Sequence, residues 1–122
     1  MTRILVCEDN DLTAKLFIAA LRRRPYELKV VTTADQIIET TVAYAPGLIL
    51  MDLRLPGVSG REAIRSLRAD PRTAQVPILL HSANAAVDEI AAELGVGYVA
   101  KPFSLEDFRE RVAEVTGTSS LA

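Results

Sequence analysis

Leu48-Ile49-Leu50-Met51-Asp52-Leu53-Arg54-Leu55-Pro56-Gly57-Val58-Ser59-Gly60 opens as an uninterrupted apolar run, meets an acid, turns through Pro56-Gly57 and enters a segment with helical spacing. A run without polar alternation reads as a strand covered on both faces, as in a parallel sheet. Ser59 with Glu62 matches a capping box, so a helix starts there. This order sets Asp52 at the C-terminal end of a strand, its backbone held rigid by the turn and the capped helix. Open α/β sheets place their chemistry at that edge.

The same alternation extends in both directions. Apolar runs at about 3–7, 28–32, 47–52, 77–82 and 97–100 are separated by segments of helical spacing. Lys29 makes the second run less uniformly apolar, which suits an edge strand. Leu12, Leu16 and Ala20, with Phe17 and Leu21 beside them, predict one apolar helix face, and Ile37, Ile38, Thr41 and Val42 a second. Ile64 and Leu67 predict a third, Val87, Ile90, Ala91 and Leu94 a fourth, and Leu105, Phe108, Val112 and Val115 a fifth. Thr33 with Gln36 matches a capping box and Ser104 with Asp107 resembles one, while Pro25, Pro46 and Pro71 each follow a helical stretch they cannot continue. Five βα units imply a parallel sheet with right-handed crossovers and helices on both faces.

Three more polar patches end apolar runs: Glu8-Asp9 after Cys7, Ser82 after His81, and Lys101-Pro102 after Ala100. If the runs are parallel, three carboxylates, a hydroxyl and an ammonium share one cleft. Glu8-Asp9 alone reads equally well as a solvated turn and helix cap. With Asp52 nearby, like charges raise one another's pKa unless a cation neutralises them. Mg²⁺ takes oxygen ligands and keeps several waters, so two carboxylates and a carbonyl suffice. His81 stands alone as the single histidine and reads as a packed or edge imidazole.

Composition narrows the function classes. With 122 residues, 49% of them hydrophobic and 25% charged, the chain is expected to form one globular domain. A net charge of −2 argues against a nucleic-acid surface. The basic run Arg22-Arg23-Arg24 sits where a helix should end before Pro25, opposing the helix dipole. No stretch reads as a transmembrane helix or signal peptide, so a cytoplasmic location without membrane contact is expected. Cys7, the one cysteine, reads as an inert core thiol. Neither an internal repeat nor a linker is evident, and 117–122 read as a frayed tail.

Taken together, the acidic pair, the strand-end Asp52 with Pro56 and Gly60 after it, Ser82-Ala83 and Lys101-Pro102 stand in a familiar order. The chain resembles the receiver domain of two-component response regulators, over 1–116, as a stand-alone module with no output domain. The resemblance implies a flavodoxin-like (βα)5 doubly wound parallel sheet with strand order 2-1-3-4-5. It implies that Asp52 accepts a phosphoryl group from a phosphohistidine on a histidine kinase or histidine phosphotransfer protein. Asp9, Asp52 and the backbone carbonyl of Arg54 would hold Mg²⁺, with Glu8 acting through a metal-bound water. Lys101, preceding a cis Pro102, and Ser82 would each engage a phosphoryl oxygen. Tyr98 matches the family's switch aromatic, turning as Ser82 is drawn inward and changing the surface that an output protein reads. The resemblance leaves enzyme status open and implies no conventional enzyme, but a protein that would phosphorylate itself on aspartate with Mg²⁺ and slowly lose the phosphate. The first helix is the expected kinase contact, through Asn10, Thr13, Ala14 and Phe17.

The chain also departs from the family pattern. The interval from Ser82 to Lys101 is short by nearly one helical turn, so Asn84 to Gly97 must lack that piece. Ala-rich sequence and Gly95 and Gly97 suggest a freer loop there. Ser82 replaces the commoner threonine. Arg54 and Asn84, each two residues past a site residue, flank the phosphoryl position, where Arg54 would tune the lifetime of the phosphoaspartate. A phosphate shuttle or sink in a relay is the alternative within the family. An aspartate-nucleophile phosphatase would want an acid where Arg54 stands, and a flavin-binding protein of the same topology would want a phosphate loop where Glu8-Asp9 stand.

Overall fold

The alternating runs and helical segments become five βα units in the computed structural model, which describes residues 2–22, 26–100 and 104–117. In chain order these are β1 (Thr2–Cys7), α1 (Asp11–Leu21), β2 (Tyr26–Val31), α2 (Ile37–Tyr44), β3 (Leu48–Asp52), α3 (Gly60–Ala69), β4 (Ile78–Ser82), α4 (Val87–Leu94), β5 (Gly97–Ala100) and α5 (Leu105–Thr116). The strands form one sheet in the order β2-β1-β3-β4-β5, every pairing parallel. The edge strand β2 carries Lys29, as its mixed character implied, and begins two residues earlier than its apolar run suggested.

Every residue of β3 and of β4 is buried, because helices cover both faces. Strand alternation sends Leu5, Cys7, Ile49, Met51, Ile78 and Leu80 to one face, against Ile37, Ile64, Leu67, Val87 and Ala91 of α2, α3 and α4. The opposite face carries Ile4, Val6, Leu48, Leu50, Leu79 and Val99, packed against Phe17, Leu21, Phe108 and Val112 of α1 and α5. Phe17 stacks on Phe108 with ring centroids 4.8 Å apart, tying the first helix to the last. Each such large apolar side chain contributes about 1.5–3 kcal/mol on burial.

Three helix expectations need correction. On α1, Leu12 is 73% and Leu16 50% exposed, and the core face runs instead through Ala14, Phe17, Ala20 and Leu21. Apolar residues surround most of this helix, so two stripes satisfy helical spacing, and Phe17 decides between them by filling the space against Phe108. On α2, Val42 points to solvent. No box forms between Thr33 and Gln36. Ile37 donates its backbone N–H to Ala34 in a tight turn, and Gln36 precedes the helix without a side-chain cap. The box at Ser59 and Glu62 is present in full, and Ser104 accepts from the N–H of Asp107.

Candidate functional site

Register brings the strand-end residues level. Cys7 pairs with Met51 and Asp52 with His81, so Glu8, Asp52 and His81 stand in one row across β1, β3 and β4. Alternation sends all three to the sheet face that α1 and α5 cover. Around this row opens a cleft of about 530 Å³ lined by Glu8, Asp9, Asp52, Arg54, Ser82 and Asn84, among others. Glu8 and Asp52 are 2% and 8% exposed, whereas Asp9 is open to solvent.

Local backbone geometry aims these groups. The N–H of Arg54 donates to Asp52 Oδ1 at 3.2 Å, which fixes the carboxylate plane. The N–H of Asn10 donates to Glu8 Oε2 at 3.0 Å. Asn10 in turn caps α1, its Oδ1 accepting from the N–H of Thr13 at 2.9 Å. The N–H of Asn84 donates to Ser82 Oγ at 3.0 Å, and Asn84 Oδ1 accepts from the N–H of Ala86 at 2.8 Å. These bonds shape the turn between β4 and α4. Gly95 closes α4 in a left-handed conformation, while Gly97 lets Leu79 and Arg111 approach the start of β5.

Gly60 explains why the acid is followed by glycine at this distance. A Cβ there would lie 2.2 Å from the carbonyl oxygen of Asp52, so only glycine lets α3 begin against the end of β3. Two carboxylates held together and largely out of water repel each other unless a cation or proton intervenes. This donor set fits a hard, oxygen-seeking divalent ion with room for its waters.

The site residues expected from sequence thus fall into three groups. Glu8, Asp9, Asp52, Arg54 and Ser82 line one cleft. Tyr98 lies outside it on β5, 40% exposed and level with Leu80. Lys101 and Pro102 fall outside the described residues. Of the expected kinase contacts, Ala14 and Phe17 are core residues, 6% and 0% exposed, and offer no contact surface. Sequence reasoning gave Asn10 a place in that contact and passed over its capping role, signalled by an asparagine immediately before a helix. It also set His81 apart from the acids, although the imidazole stands beside Asp52 in register.

Comparison with known proteins converges on one family. The family model for the response regulator receiver domain matches residues 4–113. The chain is 32% identical over 115 residues to the phosphate regulon transcriptional regulatory protein PhoB of Rhizobium meliloti, covering 92% of this chain and 51% of PhoB. It thus spans about half the length of that relative. The polar-differentiation response regulator DivK of Brucella ovis is 31% identical over 117 residues, with 93% and 95% covered. Among solved structures, the receiver domain of the sensor histidine kinase PA1611 from Pseudomonas aeruginosa PAO1 carries a magnesium ion in its active-site cleft. It superimposes with a TM-score of 0.85 at 30% identity, over 95% of this chain and 98% of that one. With the strand order and the acidic cleft already in place, the chain belongs to the response regulator receiver domain family of two-component systems.

Proposed function

We propose that Asp52 is the phosphoacceptor of a two-component signalling module. The observation that carries this reading is the meeting of Glu8, Asp9, Asp52 and Ser82 around one cleft at the C-terminal edge of the sheet. An oxygen of Asp52 attacks the phosphorus of a phosphohistidine on a kinase or phosphotransfer partner. The new O–P bond forms as the P–N bond breaks, and the electron pair leaves on the partner's imidazole. The N–H of Arg54 engages Oδ1, which leaves Oδ2 the freer oxygen for the attack. Ser82 accepts from the N–H of Asn84, so its own O–H is left to donate to a phosphoryl oxygen. Lys101 supplies a cation to a second oxygen. Asp9, Asp52 and the carbonyl of Arg54, with Glu8 beside them, would hold Mg²⁺, which when bound would supply neutralising charge. Positioning and charge neutralisation are what a loose phosphoryl-transfer transition state needs.

Tyr98 is read as the switch side chain, its exposed ring beside β4 being supporting evidence. The partner's docking surface is read on α1, at Leu12 and Leu16, exposed side chains four residues apart on one helix face that follows the cleft residue Asn10. The test is incubation with acetyl phosphate and Mg²⁺, followed by intact-mass measurement. Wild type gains a phosphate adduct and Asp52→Ala does not. An adduct that persists in the variant removes Asp52 from its role.

A further inference from the structure

The buried row that supplies two of the acids also contains an imidazole. His81 is 1% exposed, next to Asp52 in register, and its Nδ1 lies 3.6 Å from Glu8 Oε1. That gap is too long for a hydrogen bond. It matches the about 3.3–3.6 Å between two ligands on a tetrahedral ion with bonds of about 2.0–2.2 Å. Glu8, Asp52 and His81 each offer a ligand atom, and these atoms lie within 4.8 Å of one another. The edge of Phe17 meets the imidazole at 4.8 Å between centroids, which fixes the ring's orientation.

We infer that Glu8, Asp52 and His81 form a mixed carboxylate–imidazole site that shifts this pocket's preference from Mg²⁺ toward borderline divalent ions such as Co²⁺ and Zn²⁺. Oxygen donors alone suit Mg²⁺, which dehydrates reluctantly and makes little use of nitrogen. An imidazole suits Zn²⁺ and its transition-metal neighbours and adds to their general advantage at any shared site. The buried position strengthens the effect, because an ion bound there loses more of its water and depends more on protein ligands. The inference rests on the reading of the cleft as a cation site. It differs in assigning a ligand from β4 and a second class of ion, one that competes for the carboxylate that accepts phosphate.

The test uses the untagged full chain and the metal salts alone. Mg²⁺ and Co²⁺ affinities are measured by calorimetry for wild type and His81→Leu, a substitution of similar shape that removes both nitrogens. Because His81 is the only histidine in the chain, a hyperfine-shifted imidazole N–H proton in the NMR spectrum of the Co²⁺ complex reports on it alone. The expected result is that signal in wild type, together with a loss of Co²⁺ affinity of about tenfold or more in His81→Leu and little change for Mg²⁺. Equal Co²⁺ affinities overturn the inference, as do parallel losses for both ions, which would make His81 a positioning residue only. If His81→Leu does not fold, the wild-type NMR signal decides, and its absence counts against ligation. Wild type that binds Mg²⁺ without that signal refutes the imidazole ligand while leaving the phosphoacceptor reading intact. Wild type that binds neither ion overturns both.

Discussion

Arg54 shows how much one residue can carry that its type alone does not announce. Its backbone N–H orients Asp52, while its side chain stands exposed at the mouth of the cleft. A guanidinium there is drawn to a phosphoryl group and covers it from water. Arg54→Ala is therefore expected to shorten the lifetime of the phosphoaspartate. An exposed ion pair is worth about 1 kcal/mol or less, so decay accelerates up to about fivefold. Loss of adduct over time, tracked by mass, measures this, and an unchanged rate removes the role. At this scale the acids were legible because each ends an apolar run. His81 was not, because its meaning lies in pairing with Asp52 across two strands, and only register reveals that.

Among the elements, legibility tracked the strength of the local signal. The capped start of α3 was clear because Ser59 and Glu62 satisfy each other's backbone groups, and the central strands β3 and β4 were clear because both their faces are buried. α1 was ambiguous because apolar residues nearly encircle it. The stripe left outside the core, Leu12 and Leu16, is exposed and is the surface proposed above for a partner. Leu16→Asp is expected to lower phosphotransfer from the cognate phosphohistidine protein by about tenfold or more, the scale of a contact hot spot. Labelling by acetyl phosphate should be unaffected, because the acids do not move. Equal losses with both donors would place Leu16 in the fold and not in recognition. The junction of β3 and α3 is the opposite case, a place with no tolerance. Gly60→Ala puts a methyl against the Asp52 carbonyl and should cost about 3 kcal/mol or more, read as a lower urea midpoint with an unchanged slope. A midpoint within error of wild type would show that α3 can slide away from the strand end.

For the whole molecule, the order of strands reflects a parallel sheet whose chain reverses direction once, after β2, so that β1 lies between β2 and β3. Cys7 lies at the C-terminal end of β1, wholly buried between those neighbours, and its thiol is pushed up to about 12 by desolvation. Global stability therefore carries a pH signature. Below about pH 8.5 the thiol is protonated in both folded and unfolded chains and contributes nothing to the balance. Above that, the unfolded chain releases the proton while the folded one retains it, so the folded state binds more protons and its stability falls as pH rises. The fall approaches about 1.4 kcal/mol per pH unit and ends once the folded thiol itself titrates, near 12. Between pH 8 and 10 this amounts to about 2 kcal/mol from one group. Urea unfolding of wild type and Cys7→Ala at both pH values isolates it, since other alkaline titrations are common to the two proteins. Cys7→Ala should start less stable, having lost a buried sulfur, yet decline by about 2 kcal/mol less over the interval. Parallel declines would mean that the thiol ionises as readily in the folded chain as in the unfolded one, and that the interior of the sheet admits water.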